Sequence, residues 1–278
     1  MGGEPGGLRA RRGGRRCAPP RHPPAGGSRP IRRFPTVTDV DSLTLPSEVR
    51  SRLALALDVD DVVVALRLAK ELQPWFGVAK VGLELYTAAG PDAVGSLTGL
   101  GYDVFLDLKL HDIPTTVGRA AAVVGAYGVR YLTLHAAGGV PMLRAGVEGF
   151  HRGAERAGLE QPVALAVTVL TSDADAPPHI VPKRVRVALE AGCGGLVCGA
   201  PDVADVRELA PRLTVVVPGT RPPGADTHDQ ARTDTPAAAL AAGADLLVVG
   251  RAVTAASDRR AAAQALVEGL GVADARGG

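Results

Sequence analysis

VFLDLKLHDIPTTVG (residues 104–118) reads as a strand, a loop and the first turn of a helix in one stretch. The apolar run VFLDLK needs burial on both sides, as a strand of a covered parallel sheet does. Pro114 then suits the first turn of a helix, where its missing N–H is no loss, and Thr115 or Thr116 can bond in that turn. Working outward, the same alternation repeats. Short apolar runs rich in Val, Leu and Ala stand at LALALD (53–58), VAKVG (78–82), VFLDLK (104–109), YLTLH (131–135), VALAVTVL (163–170), GLVCG (195–199), LTVVV (213–217) and DLLVVG (245–250). Their starts recur every 18 to 32 residues, which leaves room for one helix per repeat. Eight such units predict an α/β fold, a closed (β/α)8 TIM barrel over residues 45–278. An open doubly wound sheet is the alternative, but its first βα turn would be ALDVDDV (56–62), which lacks the glycine fingerprint of a dinucleotide fold.

The 278 residues carry a formal net charge of +2, and that total hides a split. Residues 1–35 hold nine Arg, eight Gly, seven Pro and a single acid, Glu4, so a tail of +8 precedes a body of −6. The acidic body therefore has no electrostatic reason to seek nucleic acid. Residues 1–35 have almost nothing apolar to bury, and residues 1–44 are expected to be a disordered Arg/Gly/Pro-rich tail, neither secretory signal nor transit peptide. No run of 18 apolar residues exists, so no membrane span is expected. The three cysteines, Cys17, Cys193 and Cys198, support neither a disulfide framework nor a four-ligand zinc site. A reducing cytoplasm fits, with Cys193 and Cys198 as small core residues. Trp75 and Phe76 are expected to anchor a core or an interface.

In a barrel the chemistry sits at the C-terminal ends of the strands, so polar residues ending apolar runs are the informative ones. The first four runs supply Asp58, Lys80, the pair Asp107 and Lys109, and His135. Charges there are costly to desolvate unless they pair, so stability alone would not scatter them in this way. Asp107 and Lys109 are two apart, which puts both on one face of a strand, and Asp112 follows in the loop. Lys109 held between carboxylates is a cation and proton donor rather than a Schiff-base amine. A salt bridge at the barrel rim is the purely structural alternative. His135 either lines the site or supports Asp107, and His111 reads as loop packing. The loops after the seventh and eighth strands are where such barrels bind phosphate, which makes PGTRP (218–222) and VVGRAVT (248–254) candidates.

The pattern Asp-x-Lys-x-His-Asp-Ile-Pro-x-Thr, from Asp107 to Thr116, resembles the signature of the orotidine 5'-phosphate decarboxylase family, in its bacterial form. The flanking segments agree: LALD with Asp58, KVG with Lys80, AVTVLTS (166–172), PGTRP with Gln230 after it, and VVGRAVT, in collinear order over about residues 50 to 270. The resemblance implies cofactor-free decarboxylation of orotidine 5'-phosphate to UMP by a cytoplasmic homodimer. It implies a charge network of Lys80, Asp107, Lys109 and Asp112 at the scissile carboxylate, with Asp112 contributed by the second subunit. Asp58 would meet the ribose and Thr171 the pyrimidine amide edge, Thr116 would add a substrate contact, and Arg221, Gln230, Gly250 and Arg251 would hold the phosphate. No metal, nucleic acid or membrane partner is implied. Two other readings stay open on the motif alone: a magnesium-dependent sugar-phosphate lyase on the same barrel, since DxKxxD also occurs in such relatives, and a catalytically silent phosphate-binding barrel.

Overall fold

The computed structural model describes residues 44–173, 175–219 and 235–270. The expectation for the N-terminal tail falls outside these residues up to position 43, as do Arg221 and Gln230. Eight parallel strands close into a barrel in sequence order: β1 (Leu53–Ala56), β2 (Val78–Val81), β3 (Asp103–Leu110), β4 (Tyr131–His135), β5 (Val163–Val167), β6 (Gly195–Val197), β7 (Thr214–Pro218) and β8 (Leu246–Val249). β1 pairs with β8 through Leu53 to Leu247, Ala54 to Val248 and Leu55 to Val249, which shuts the barrel. Every strand lies on one of the eight apolar runs.

A four-residue helix, α1 (Ser47–Arg50), precedes β1. The helices that follow the strands are α2 (Val62–Leu72), α3 (Leu83–Ala89), α4 (Pro91–Gly99), α5 (Pro114–Gly125), α6 (Gly139–Arg156), α7 (Ile180–Ala191), α8 (Val203–Leu209), α9 (Pro236–Ala241), α10 (Arg251–Thr254) and α11 (Arg259–Glu268). Local chemistry sets their starts. Asp61 caps α2 by accepting from the Val63 and Val64 amides at 2.7 and 2.9 Å, and Pro91, Pro114 and Pro236 each open a helix. At α5 no side-chain cap bond forms, so neither Thr115 nor Thr116 closes this start. Asp112 Oδ1 instead accepts from the Ile113 amide at 2.6 Å.

The two faces of the strands build two cores. Ala54, Ala56, Val78, Phe105, Leu165, Val167, Val197, Val216, Leu246 and Val248 fill the barrel interior. Their neighbours in sequence, such as Leu53, Leu55, Leu106, Val217 and Leu247, join the larger core under the helices. This period of two is what makes the runs continuously apolar, because both faces are covered. Trp75, Phe76, Cys193 and Cys198 are all buried in that outer layer. Burial pushes the Cys193 thiol up to about 12, as expected of a core residue rather than a ligand or nucleophile.

The tightest helix contact joins α5 to α6, the pair following β3 and β4. A Cβ on Gly149 would run into the Gly118 carbonyl, one on Gly153 into that of Ala122, and one on Gly125 into that of Phe150. Only glycine permits this approach, and the approach fixes the helix that begins just after Asp112. Gly149→Ala should therefore lower stability by about 1–3 kcal/mol. Gly95, inside α4 with open space around it, should gain about 0.5–1 kcal/mol as alanine. Thermal unfolding of the two variants checks this; a Gly149→Ala midpoint equal to the parent's would contradict the packing.

Candidate active site

The interior face of the barrel becomes the site simply by being followed upward two residues at a time. On β1 and its exit, Ala54 and Ala56 lead to Asp58; on β2, Val78 leads to Lys80; on β3, Phe105 leads to Asp107. Asp58, Lys80, Asp107 and Lys109 all line one cavity of about 510 Å³ at the C-terminal ends of the strands, with Thr171, Ser172, Gly219, Gly250 and Arg251 on the same wall.

Two ion pairs organise it. Lys80 Nζ donates to Asp58 Oδ1 at 2.8 Å, the lysine side chain 10% exposed and the aspartate 57%. Gly82 sits beside the pair, and a Cβ there would stand 3.2 Å from both charged atoms. Lys109 Nζ donates to both oxygens of Asp107 at 2.9 Å, and here the carboxylate is the more enclosed partner, 16% exposed against 34% for the lysine. The charges that lose water, Lys80, Lys109 and Asp107, are thus each paired, which answers the desolvation cost noted from the sequence, while Asp58 stays open to solvent.

Asp107 and Lys109 do not meet by regular strand alternation, as their spacing alone suggests. Leu106 pairs with Leu132 and Leu110 with Leu134, so three residues of β3 face one residue of β4, Thr133. This bulge turns Lys109 into the left-handed region, φ 50°, where it is alone among the described non-glycine residues. Such a conformation costs about 1–2 kcal/mol for an L residue and persists only where surrounding contacts impose it. Thr133 supplies them. Fully buried, its hydroxyl accepts from the Lys109 backbone amide at 2.9 Å and donates to Asp107 Oδ1 at 3.0 Å. Thr133 is not among the strand-end candidates; its one signal in the sequence is a polar side chain in the middle of the apolar run YLTLH, on the inner face two residues before His135.

His135 itself is absent from the cavity wall and gives no support to Asp107. Its ring stacks on His111, centroids 5.4 Å apart and planes 23° apart, and Nδ1 accepts from the Ala137 amide at 3.2 Å. His111 accordingly packs the loop, as its sequence context suggests. Asp112 and Thr116 are exposed on this chain, and neither lines its cavity.

A family model described as "Orotidine 5'-phosphate decarboxylase / HUMPS family" matches residues 51–266. The chain belongs to that family. The orotidine 5'-phosphate decarboxylase of Anaeromyxobacter dehalogenans is 48% identical over 236 residues, covering 81% of this chain and 99% of the relative. That of Thermobifida fusca is 47% identical over 230 residues, covering 78% and 95%. Among solved structures, orotidine 5'-phosphate decarboxylase from Lactobacillus acidophilus superposes with a TM-score of 0.66 at 33% identity, covering 78% of this chain and 98% of that one.

Burial lowers the His135 ring below its usual value, helped by the nearby charges of Arg184, His111 and Lys109. The unfolded chain therefore takes up a proton that the folded one resists. Stability from this source is present above the usual histidine value of about 6.5 and is lost as pH falls through the lowered one. The thermal midpoint should fall on acidification from about 6.5 down to the lowered value, and His135→Asn, which keeps an acceptor for the Ala137 amide, should fall less steeply over that window. Parallel curves for the two proteins would rule out the histidine as a source of the pH dependence.

Proposed function

We propose that this chain decarboxylates orotidine 5'-phosphate to UMP, the last step of de novo pyrimidine synthesis, as a carboxy-lyase of the class EC 4.1.1.23. The observation that carries the reading is the convergence of both ion pairs, Asp58 with Lys80 and Asp107 with Lys109, on one cavity that also contains Gly250 and Arg251. The cavity volume of about 510 Å³ suits a nucleotide monophosphate.

In the reaction the bond between C6 of the pyrimidine and its carboxylate breaks, CO2 leaves, and the electron pair remains on C6 in the ring plane. The ring offers no electron sink for it. A preorganised ammonium about 4 Å away is worth roughly 4 kcal/mol at an effective dielectric near 20. Enzymes commonly lower barriers by about 8–23 kcal/mol, so Lys109 accounts for part of the effect and exclusion of water and substrate positioning for the rest. Lys109 then delivers a proton from Nζ to C6 and is recharged from solvent. Asp107 holds the ammonium and stands beside the substrate carboxylate, Lys80 completes the charge network there, Asp58 binds the ribose, and Thr171 meets the pyrimidine amide edge. Gly250 and Arg251, with Arg221 and Gln230, which lie outside the described residues, take the phosphate. Binding of that remote dianion contributes to catalysis as well as affinity.

The catalytic domain is residues 45–278, working as a cytoplasmic homodimer that requires no cofactor. Among the described residues no helix is long and apolar enough to cross a membrane. Asp112 reaches the partner's site rather than its own. What supports this is its exposure next to Ile113, a large apolar side chain 66% exposed beside the signature acid; Thr116 belongs to the same exposed segment.

Lys109→Ala should abolish turnover while UMP still binds, because the lost interaction belongs mainly to the transition state; substantial residual turnover would sink the assignment. Addition of a chelator should leave the parent activity unchanged, whereas loss of activity would favour the magnesium-dependent reading. Lys109→Ala and Asp112→Ala homodimers should each be nearly inactive, and mixing them should restore about a quarter of the sites by two-fold symmetry. No recovery after verified subunit exchange would put Asp112 in its own chain's site.

A further inference from the structure

We infer that Thr133 is a positioning residue for the reaction, its hydroxyl setting the direction in which the Lys109 ammonium points. The inference rests on the decarboxylase reading and goes beyond it, since Thr133 lies outside the family signature and off the cavity wall.

Where β3 bulges, Asp107, Leu108 and Lys109 stand opposite Thr133 alone, and the ladder between β3 and β4 is interrupted from Leu106 to Leu110. On its other side Thr133 pairs normally with Leu165, and the β4 to β5 register is unbroken. An amide left over at a bulge inside a barrel needs an acceptor, because an unpaired buried donor is costly. The Lys109 N–H finds it in the Thr133 hydroxyl, at 2.9 Å, in place of a ladder carbonyl.

That single hydroxyl spends its own proton on the other member of the pair. It donates to Asp107 Oδ1 at 3.0 Å, and Lys109 Nζ bridges Oδ1 and Oδ2 at 2.9 Å each. The three groups close a ring: the Lys109 amide to Thr133, Thr133 to Asp107, and Asp107 to the Lys109 ammonium. The Lys109 main chain is thereby held in its left-handed turn while the carboxylate that aims its side chain is kept from rotating. Thr133 is fully buried, so water is no ready substitute for the hydroxyl. A valine has the same shape and would fill the slot, yet it can neither accept from the amide nor donate to the carboxylate.

A group that acts only on the direction of the ammonium should alter the chemical step and leave binding of the nucleotide nearly alone. Thr133→Val is expected to lower kcat by at least about tenfold, with KM for orotidine 5'-phosphate and Kd for UMP within about threefold of the parent. Thr133→Ser, which restores the hydroxyl, should keep kcat within about threefold. If the valine variant does not fold, Thr133→Ala removes the same hydroxyl without adding a methyl in its place, and the same values are expected of it. A hydroxyl-free variant with kcat within about twofold of the parent, or a serine variant that falls as far as valine, overturns the inference. An inactive parent chain would defeat the decarboxylase reading itself and this inference with it, while an active parent with an equally active valine variant defeats the positioning role alone.

Discussion

The ion pair between Asp107 and Lys109 is the constraint around which the rest of the molecule is arranged. A lysine ammonium held at 2.9 Å from both oxygens of a carboxylate is charged, oriented and partly shielded from water. To bring the two side chains together the protein gives up regular pairing between β3 and β4 and places Lys109 in a conformation that L residues avoid. That departure is tolerable only because the scaffold around it is rigid. The closed barrel has no free edge to fray, and the glycine-mediated approach of α5 to α6 clamps the two helices that follow the bulged strand pair.

The second ion pair shows a different economy of design. Lys80 and Asp58 come from β2 and from the exit of β1, strands already in register through Ala56 and Lys80, so no bulge is needed to join them. Gly82 leaves room for the pair just where the chain turns into α3. Site and core are thus one set of inward-facing positions read at different heights. Lower in the barrel these are Ala, Val, Leu and Phe; two residues higher they become Asp, Lys and Thr.

This continuity explains how much could be read from the sequence. All eight strands fall on apolar runs, because a sheet covered on both faces leaves a run as its trace. Asp58, Lys80, Asp107 and Lys109 were legible as charges closing those runs, and the structure brings all four into one cavity. The bulge was not legible. Its sequence, LDLKL, alternates as a regular strand would, and only the register against β4 reveals the extra residues. Thr133 went unread for the same reason, since one threonine in an apolar strand is usually tolerated without consequence. His135 looked like a site residue because it ends a strand, but its ring stacks on His111 and does not line the cavity. Pairwise stacking of that kind depends on tertiary placement that no spacing rule supplies.

The central claim is electrostatic: the Asp107-held ammonium of Lys109 is complementary to negative charge developing at C6 of the pyrimidine. The most direct measurement is the binding, by titration calorimetry, of a UMP analogue bearing an anionic oxygen at C6, compared with UMP itself, to the parent chain and to Lys109→Ala. The analogue should bind the parent at least about a hundredfold more tightly than UMP, as a mimic of the transition-state charge does, and should lose most of that advantage in the variant. An analogue that binds no better than UMP, or that keeps its advantage without Lys109, would contradict the account.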